Sequence, residues 1–180
     1  ANAMEERGAL ATRFNWAFVT RPDASDNRAE AAGLGVAIIG SGPAGMAAAQ
    51  QLGRAGHAVD VYERESRPGG LLRYGIPDFK MEKHWIDKRV EQMKAEGVTF
   101  NCGVNVGTDK PLAELTAEYD AVLYCGGAER PRDAGIPSEG LHGIHDAMPY
   151  LVQQNRRVGG EPIQSAMRAR TCSGAVPPKL

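Results

Sequence analysis

A chain of 180 residues with 42% hydrophobic and 24% charged side chains has the length of one domain, or of one domain with an appendage, and the composition of a folded globular protein rather than a disordered one. Its 21 basic residues against 22 acidic ones leave no basic excess for a nucleic-acid backbone and no one-sided field for a membrane surface, so the expected ligand is a small molecule. No apolar run reaches the ~18 to 20 residues of a membrane-crossing helix, no basic-then-apolar secretory pattern follows Met4, and Cys102, Cys125 and Cys172 lack the spacing of a metal or iron-sulfur site; the expectation is a cytoplasmic protein with no metal.

Ala1, Asn2 and Ala3 ahead of Met4 read as an expression scar. Residues 1–35, with aromatics at Phe14, Trp16 and Phe18 and a polar stretch from Arg21 to Glu30, read as a lead-in arm. The run Val36, Ala37, Ile38, Ile39 predicts a strand buried on both faces of a parallel sheet. Ala44, Ala48, Leu52 and Ala55 fall at helical spacing, with Gly56 as a stop. Ala58 to Glu63 predicts a second strand, and strand, helix and strand over about 30 residues make a right-handed βαβ unit. After a glycine-rich loop at Pro68 to Gly75, the residues Ile86, Val90 and Met93 mark an amphipathic helix within Glu82 to Gly97. Val98 to Cys102 and Ala121 to Tyr124 predict further strands, with a short helix around Leu112 to Glu118 between them. The expected fold class is α/β, a Rossmann-like domain over residues 36–158 followed by a tail of unclear structure over 159–180.

The segment Gly40-Ser41-Gly42-Pro43-Ala44-Gly45 is a G-x-G-x-x-G placed directly after the first predicted strand and opening the first predicted helix. In that setting the three glycines do different things: Gly40 permits a tight turn, Gly42 allows backbone N–H groups to approach a pyrophosphate closely, and Gly45 lets the helix pack close. The helix dipole adds about 0.3 to 1 kcal/mol for an anion when exposed and ~2 when partly buried. Glu63 ends the second strand 23 residues after Gly40, where a carboxylate accepts hydrogen bonds from a ribose diol. A 2′-phosphate there would meet a like charge, so FAD or NAD is expected rather than NADP. The bland alternative is a surface Glu on an ordinary turn.

Spacing alone leaves FAD and NAD open. Arg67-Pro68-Gly69-Gly70-Leu71-Leu72-Arg73 supplies a second flexible backbone stretch near the same site. Val36 to Gly45, Val61 to Arg64 and Gly69 to Pro77 (GGLLRYGIP), continued by Lys94 to Val98, Asn105 to Gly107, Tyr119 to Leu123 and Cys125 to Ala128, resemble the flavin domain of the glutamate synthase small (beta) subunit. Dihydropyrimidine dehydrogenase and adrenodoxin reductase flavoproteins are similar over the same segments. The resemblance runs from about Gly35 to about Gly160.

The resemblance implies a glutathione-reductase-type FAD domain, here truncated, with FAD as cofactor. It implies that Gly40, Gly42, Ala44 and Gly45, in a turn that also holds Ser41 and Pro43, line the pyrophosphate. Glu63 would hold the adenosine ribose, Arg64 would lie by the adenine, and Gly70 and Leu71 would approach by backbone. Lys80 would reach a phosphate or the ring edge, Val106 would meet the adenine through its main chain, and Cys125 to Ala128 would pass nearby. Each has a plainer alternative: Leu71 and Val106 as core, Lys80 as a solvated charge. His142 and His145 read as a loop pair, Cys125 as packing, and no residue is assigned a catalytic role.

The same resemblance implies a reaction in which NADPH reduces FAD, and electrons pass through iron-sulfur centres to a large partner subunit making glutamate from glutamine and 2-oxoglutarate. The cysteine-rich segment and second glycine fingerprint of that architecture are not seen in this sequence, and Glu161 to Leu180 contain neither. Iron-sulfur clusters and an NADPH site are therefore expected only in the fuller family architecture. The alternatives are a flavin reductase serving a pyrimidine or ferredoxin-type acceptor, and a non-catalytic nucleotide-binding module.

Overall fold

In the computed structural model the described residues are 17–20, 33–128, 135 and 145–163. Its centre is the predicted βαβ unit: strand β2 (Gly35–Ile39), helix α1 (Pro43–Arg54) and strand β3 (Ala58–Glu63). The strands lie parallel, with Val36 opposite Val59 and Ile38 opposite Val61. Strands β4 (Thr99–Cys102) and β5 (Ala121–Tyr124) pair parallel to β3 and β2, giving the order β5-β2-β3-β4. Helices α3 (His84–Ala95) and α4 (Leu112–Glu118) fall within or on the predicted spans.

Both faces of the parallel strands are covered, which is why β2 reads as one unbroken apolar run. Val36, Ile38, Val59 and Val61 pack with Met46, Ala49, Ile86, Val90 and Met93 on one side. Ala37, Tyr62 and Val122 pack with Leu115 and the half-buried Tyr119 on the other. Ile38, Val61 and Met93 are fully buried, and burial of side chains of that size contributes about 1.5 to 3 kcal/mol each.

Three elements depart from the sequence reading. Within the expected lead-in arm, β1 (Ala17–Thr20) pairs antiparallel with β5 and extends the sheet to β1-β5-β2-β3-β4. The glycine-rich loop contains a single turn of helix, α2 (Leu71–Tyr74). Helix α5 (Ala147–Val158) packs on α2, and it is held by polar contacts that hydrophobic periodicity does not register. Asn155 Nδ2 donates to the Tyr74 carbonyl at 2.9 Å, Arg156 pairs with Glu65, and the Arg156 guanidinium lies 5.6 Å from the Tyr74 ring centroid. Glu161, which the sequence reading leaves in the tail, accepts from Ser66 Oγ at 3.1 Å and from Tyr74 Oη at 3.3 Å.

Candidate functional site

A cleft of about 390 Å³ opens over the carboxyl ends of β2, β3 and β5. From β2 the sheet continues to β3 on one side and to β5 on the other, so the cleft lies at the switch point where open parallel sheets bind ligands. Its volume is that of a small-molecule site.

The three glycines of the turn are required for different reasons. At Gly40, φ is +99° and an added Cβ would stand 2.6 Å from the Cys125 carbonyl oxygen. At Gly45 a Cβ would stand 1.9 Å from the Gly40 carbonyl oxygen, so the helix can sit on the turn only without a side chain. Gly42 differs: its φ is −65° and nothing lies within 4 Å of a Cβ built there. Neither backbone nor packing calls for glycine at position 42, and the open space above it faces the cleft.

Helix α1 starts there without a protein partner for its positive end. Gly42 is the N-cap, Pro43 occupies the first turn, no side chain caps the helix, and no acidic residue stands in its first turn. The first-turn amides and the dipole are left for an anion. The second glycine loop closes against the first. Gly70, at φ +49°, packs so tightly that a Cβ would lie 2.8 Å from Gly42 Cα, and the Gly69 amide donates to Ser41 Oγ at 3.0 Å.

Glu63 is 6% exposed and holds this turn together. Its Oε2 accepts from the Ser41 amide at 3.0 Å and from the Ser41 hydroxyl, and its Oε1 accepts from the Glu65 amide at 2.9 Å. A carboxylate offers about four acceptor sites; three are used by these donors, which leaves one on Oε1. The sequence identified the carboxylate but not this prior engagement.

Of the residues singled out from sequence, Gly40, Gly42, Pro43, Ala44, Glu63, Arg64, Gly70, Leu71 and Val106 line the cleft. Ser41 is fully buried and acts behind it, and Gly45 supports the turn from below. Lys80 is exposed and does not reach the cleft wall. Leu71 is 55% exposed, so it is not core. Arg64 faces Glu65, with Nε 3.9 Å from Oε1. Cys125 also lines the cleft, and burial pushes its thiol pKa up, which suits packing rather than thiolate chemistry. His142 and Cys172 lie outside the described residues. Among the described residues no group of three or more His, Cys, Asp and Glu side chains could hold a metal ion, and no helix is long and apolar enough to cross a membrane.

Sequence reasoning missed Glu65, Tyr74 and Val152 in the cleft wall. Glu65 and Tyr74 stand inside the quoted motifs, two residues after Glu63 and at the end of GGLLRY, and were within reach. Val152 arrives on α5, which no sequence signal placed near the site.

An unfilled space above Gly42, an uncapped helix start, a second glycine backbone and a strand-end carboxylate with one free acceptor position together make a Rossmann-like dinucleotide-binding domain. The NAD(P)-binding Rossmann-like domain family matches residues 38–111. The glutamate synthase [NADPH] small chain of Mycobacterium tuberculosis is 55% identical over 131 residues, covering 73% of this chain and 27% of that protein. The Bacillus subtilis glutamate synthase [NADPH] small chain is 47% identical over 119 residues, covering 66% and 24%. Among solved structures, Mycobacterium tuberculosis FprA in complex with NADPH superposes with a TM-score of 0.62 at 33% identity, over 68% of this chain and 29% of FprA. This chain is a homologue of the glutamate synthase small chain, spanning about a quarter of the length of these two relatives.

Proposed function

We propose that the chain is the FAD-binding part of an NADPH-dependent electron-transfer oxidoreductase of the glutamate synthase small-chain type. On this reading residues 36–158 form the FAD domain, and the electrons go on to a large glutamate-forming subunit or another acceptor protein in the cytoplasm. The observation that carries the dinucleotide reading is the empty volume over Gly42 beside an uncapped helix. The identity with small chains that bear NADPH in their name supports the oxidoreductase class. A diphosphate would rest against the amides at Gly42 to Gly45, the adenosine ribose would bond Glu63 Oε1, and the adenine would lie toward Arg64 and Val106. The other half of the dinucleotide would extend along Leu71 and Tyr124 to Ala128. A bound flavin would supply the redox chemistry, accepting electrons from a nicotinamide and passing them onward.

The description of the matched family as NAD(P)-binding favours a second reading, in which the cleft takes NAD itself. Titration of the ligand-free chain separates the two. FAD is expected to bind with a one-to-one end point and a visible flavin spectrum, and NAD to fail to displace it. Displacement of FAD by NAD at comparable concentration would give the site to the nicotinamide dinucleotide.

A further inference from the structure

The second glycine loop is held partly by its own backbone, with the Leu72 amide donating to the Gly69 carbonyl at 3.0 Å and the Tyr74 amide to the Gly70 carbonyl at 2.9 Å, and partly from outside. Gly69 and Gly70 both have positive φ, at +126° and +49°, and within the loop they have no side chains by which to anchor. The outside support comes from α3, through Arg73 and Arg67. The Arg73 side chain is almost entirely buried, with its Nε donating to the Pro68 carbonyl at 2.6 Å. Its Nη2 pairs with Asp87 Oδ1. The same carboxylate takes Arg67 Nη2 at 3.1 Å on each oxygen. Asp87 therefore grips both ends of the stretch Arg67 to Arg73, while Ile86, one residue earlier on α3, fills the space beside Gly69, where a Cβ would stand 3.0 Å from Ile86 Cγ2. The far side of the loop meets the first glycine turn, through the Gly69 amide to Ser41 Oγ, Ser41 to Glu63, and the contact of Gly70 with Gly42.

We infer that Asp87 is a positioning residue for the diphosphate seat: it does not line the cleft, but through Arg73 and Arg67 it sets how closely Gly69 and Gly70 press on Gly42 and Ser41. A carboxylate shared by two guanidinium groups makes charge-assisted bonds to both, and a seat built from backbone amides works only if those amides are already in place. A shift of one loop against the other would move Gly70 relative to Gly42 and loosen the Ser41–Glu63 bond that leaves Oε1 its free position. The inference rests on the proposed flavin reading for its ligand but not for its mechanics.

The test uses the full chain with Asp87→Asn and Asp87→Ala, and Asp87→Glu as the conservative exchange. Arg73→Lys, which keeps the charge and loses the planar fork, serves should the alanine variant fold poorly. Amide hydrogen exchange is followed without cofactor, and FAD affinity and the visible circular dichroism of bound FAD are measured alongside. Asp87→Asn is expected to speed exchange at Gly69 and Ser41 about tenfold or more while β2 and β3 keep their protection. FAD affinity should fall about tenfold with an altered flavin dichroism, and Asp87→Glu should recover part of both. Unchanged exchange at Gly69 and Ser41 overturns the inference. So does faster exchange spread evenly over the sheet, or local loosening that leaves FAD affinity untouched. If the unaltered chain binds no FAD, the flavin reading fails on that result alone, and the exchange data still decide whether Asp87 holds the loop.

Discussion

Glu63 carries two burdens, and its replacement tests both. Its carboxylate binds the Ser41 amide, the Ser41 hydroxyl and the Glu65 amide, and on the proposed reading its remaining acceptor position takes the sugar. Glu63→Ala is expected to weaken FAD binding by roughly 1.5 to 3 kcal/mol, about 10- to 100-fold or slightly more, measured by fluorescence titration. It should also lower the melting temperature of the ligand-free chain, because the Ser41 donors are left buried without a partner. Unchanged affinity would remove Glu63 from the site. A second residue-scale prediction concerns Tyr119, whose hydroxyl donates to Asp60 Oδ2 at 2.6 Å and lies 2.8 Å from the Tyr62 hydroxyl. Burial first, and then the Asp60 hydrogen bond, push its pKa far above the ordinary tyrosine value. The folded state thus keeps a proton that the unfolded chain releases above pH about 10. Stability from this group is complete below that pH and is lost as pH rises further. Urea melts of Tyr119→Phe should show lower stability at neutral pH and a shallower loss above pH about 10; an identical alkaline slope in both proteins would dismiss the assignment.

At the scale of elements, the glycine turn makes a sharper prediction because two of its glycines answer to different demands. Gly45→Ala drives a methyl group into the Gly40 carbonyl and should destabilise the fold by about 1 to 3 kcal/mol or more. Gly42→Ala enters open space at an ordinary backbone conformation. It should cost up to about 1 kcal/mol as a poorer N-cap, yet weaken dinucleotide binding by blocking the approach to the helix amides. Thermal melts and FAD titrations on the two variants check this, and a Gly42→Ala protein that binds FAD as tightly as the parent would mean that the diphosphate lies elsewhere. The turn was legible in the sequence because each glycine sits at a fixed offset from a strand end and a helix start, and β2 was legible because burial on both faces demands an unbroken apolar run. Helix α5 was not, because what seats it is Asn155 and Arg156 reaching Tyr74 and Glu65, 81 and 91 residues earlier in the chain, a pairing no local pattern encodes. The family resemblance implied a phosphate or ring-edge contact for Lys80, beside the plainer reading of a solvated charge, and the fold leaves its side chain exposed and outside the cleft lining.

For the whole molecule, the decisive quantity is how many dinucleotides the chain can seat at once. The described residues hold one glycine turn of this kind at one switch point, and the chain corresponds to 27% and 24% of the small chains it matches. On the proposed reading of Glu63 as the ribose ligand, NADPH is a poor occupant of this cleft. Its 2′-phosphate would stand beside the Glu63 carboxylate, and two like unit charges 4 Å apart repel by about 4 kcal/mol at an effective dielectric constant near 20. Arg64 offers only partial relief, since Glu65 faces it at 3.9 Å. If FAD fills the cleft, as proposed, a nicotinamide needs a second site, and the described residues hold one glycine turn of this kind. The 180-residue chain loaded with FAD should therefore keep its visible flavin absorbance when NADPH is added without oxygen. Fusing the remaining length of a small-chain relative should restore rapid bleaching, while chemical reduction with dithionite bleaches both proteins alike. Fast bleaching of the short chain by NADPH would locate a second nucleotide site within it and overturn the assignment of a single electron-carrying station.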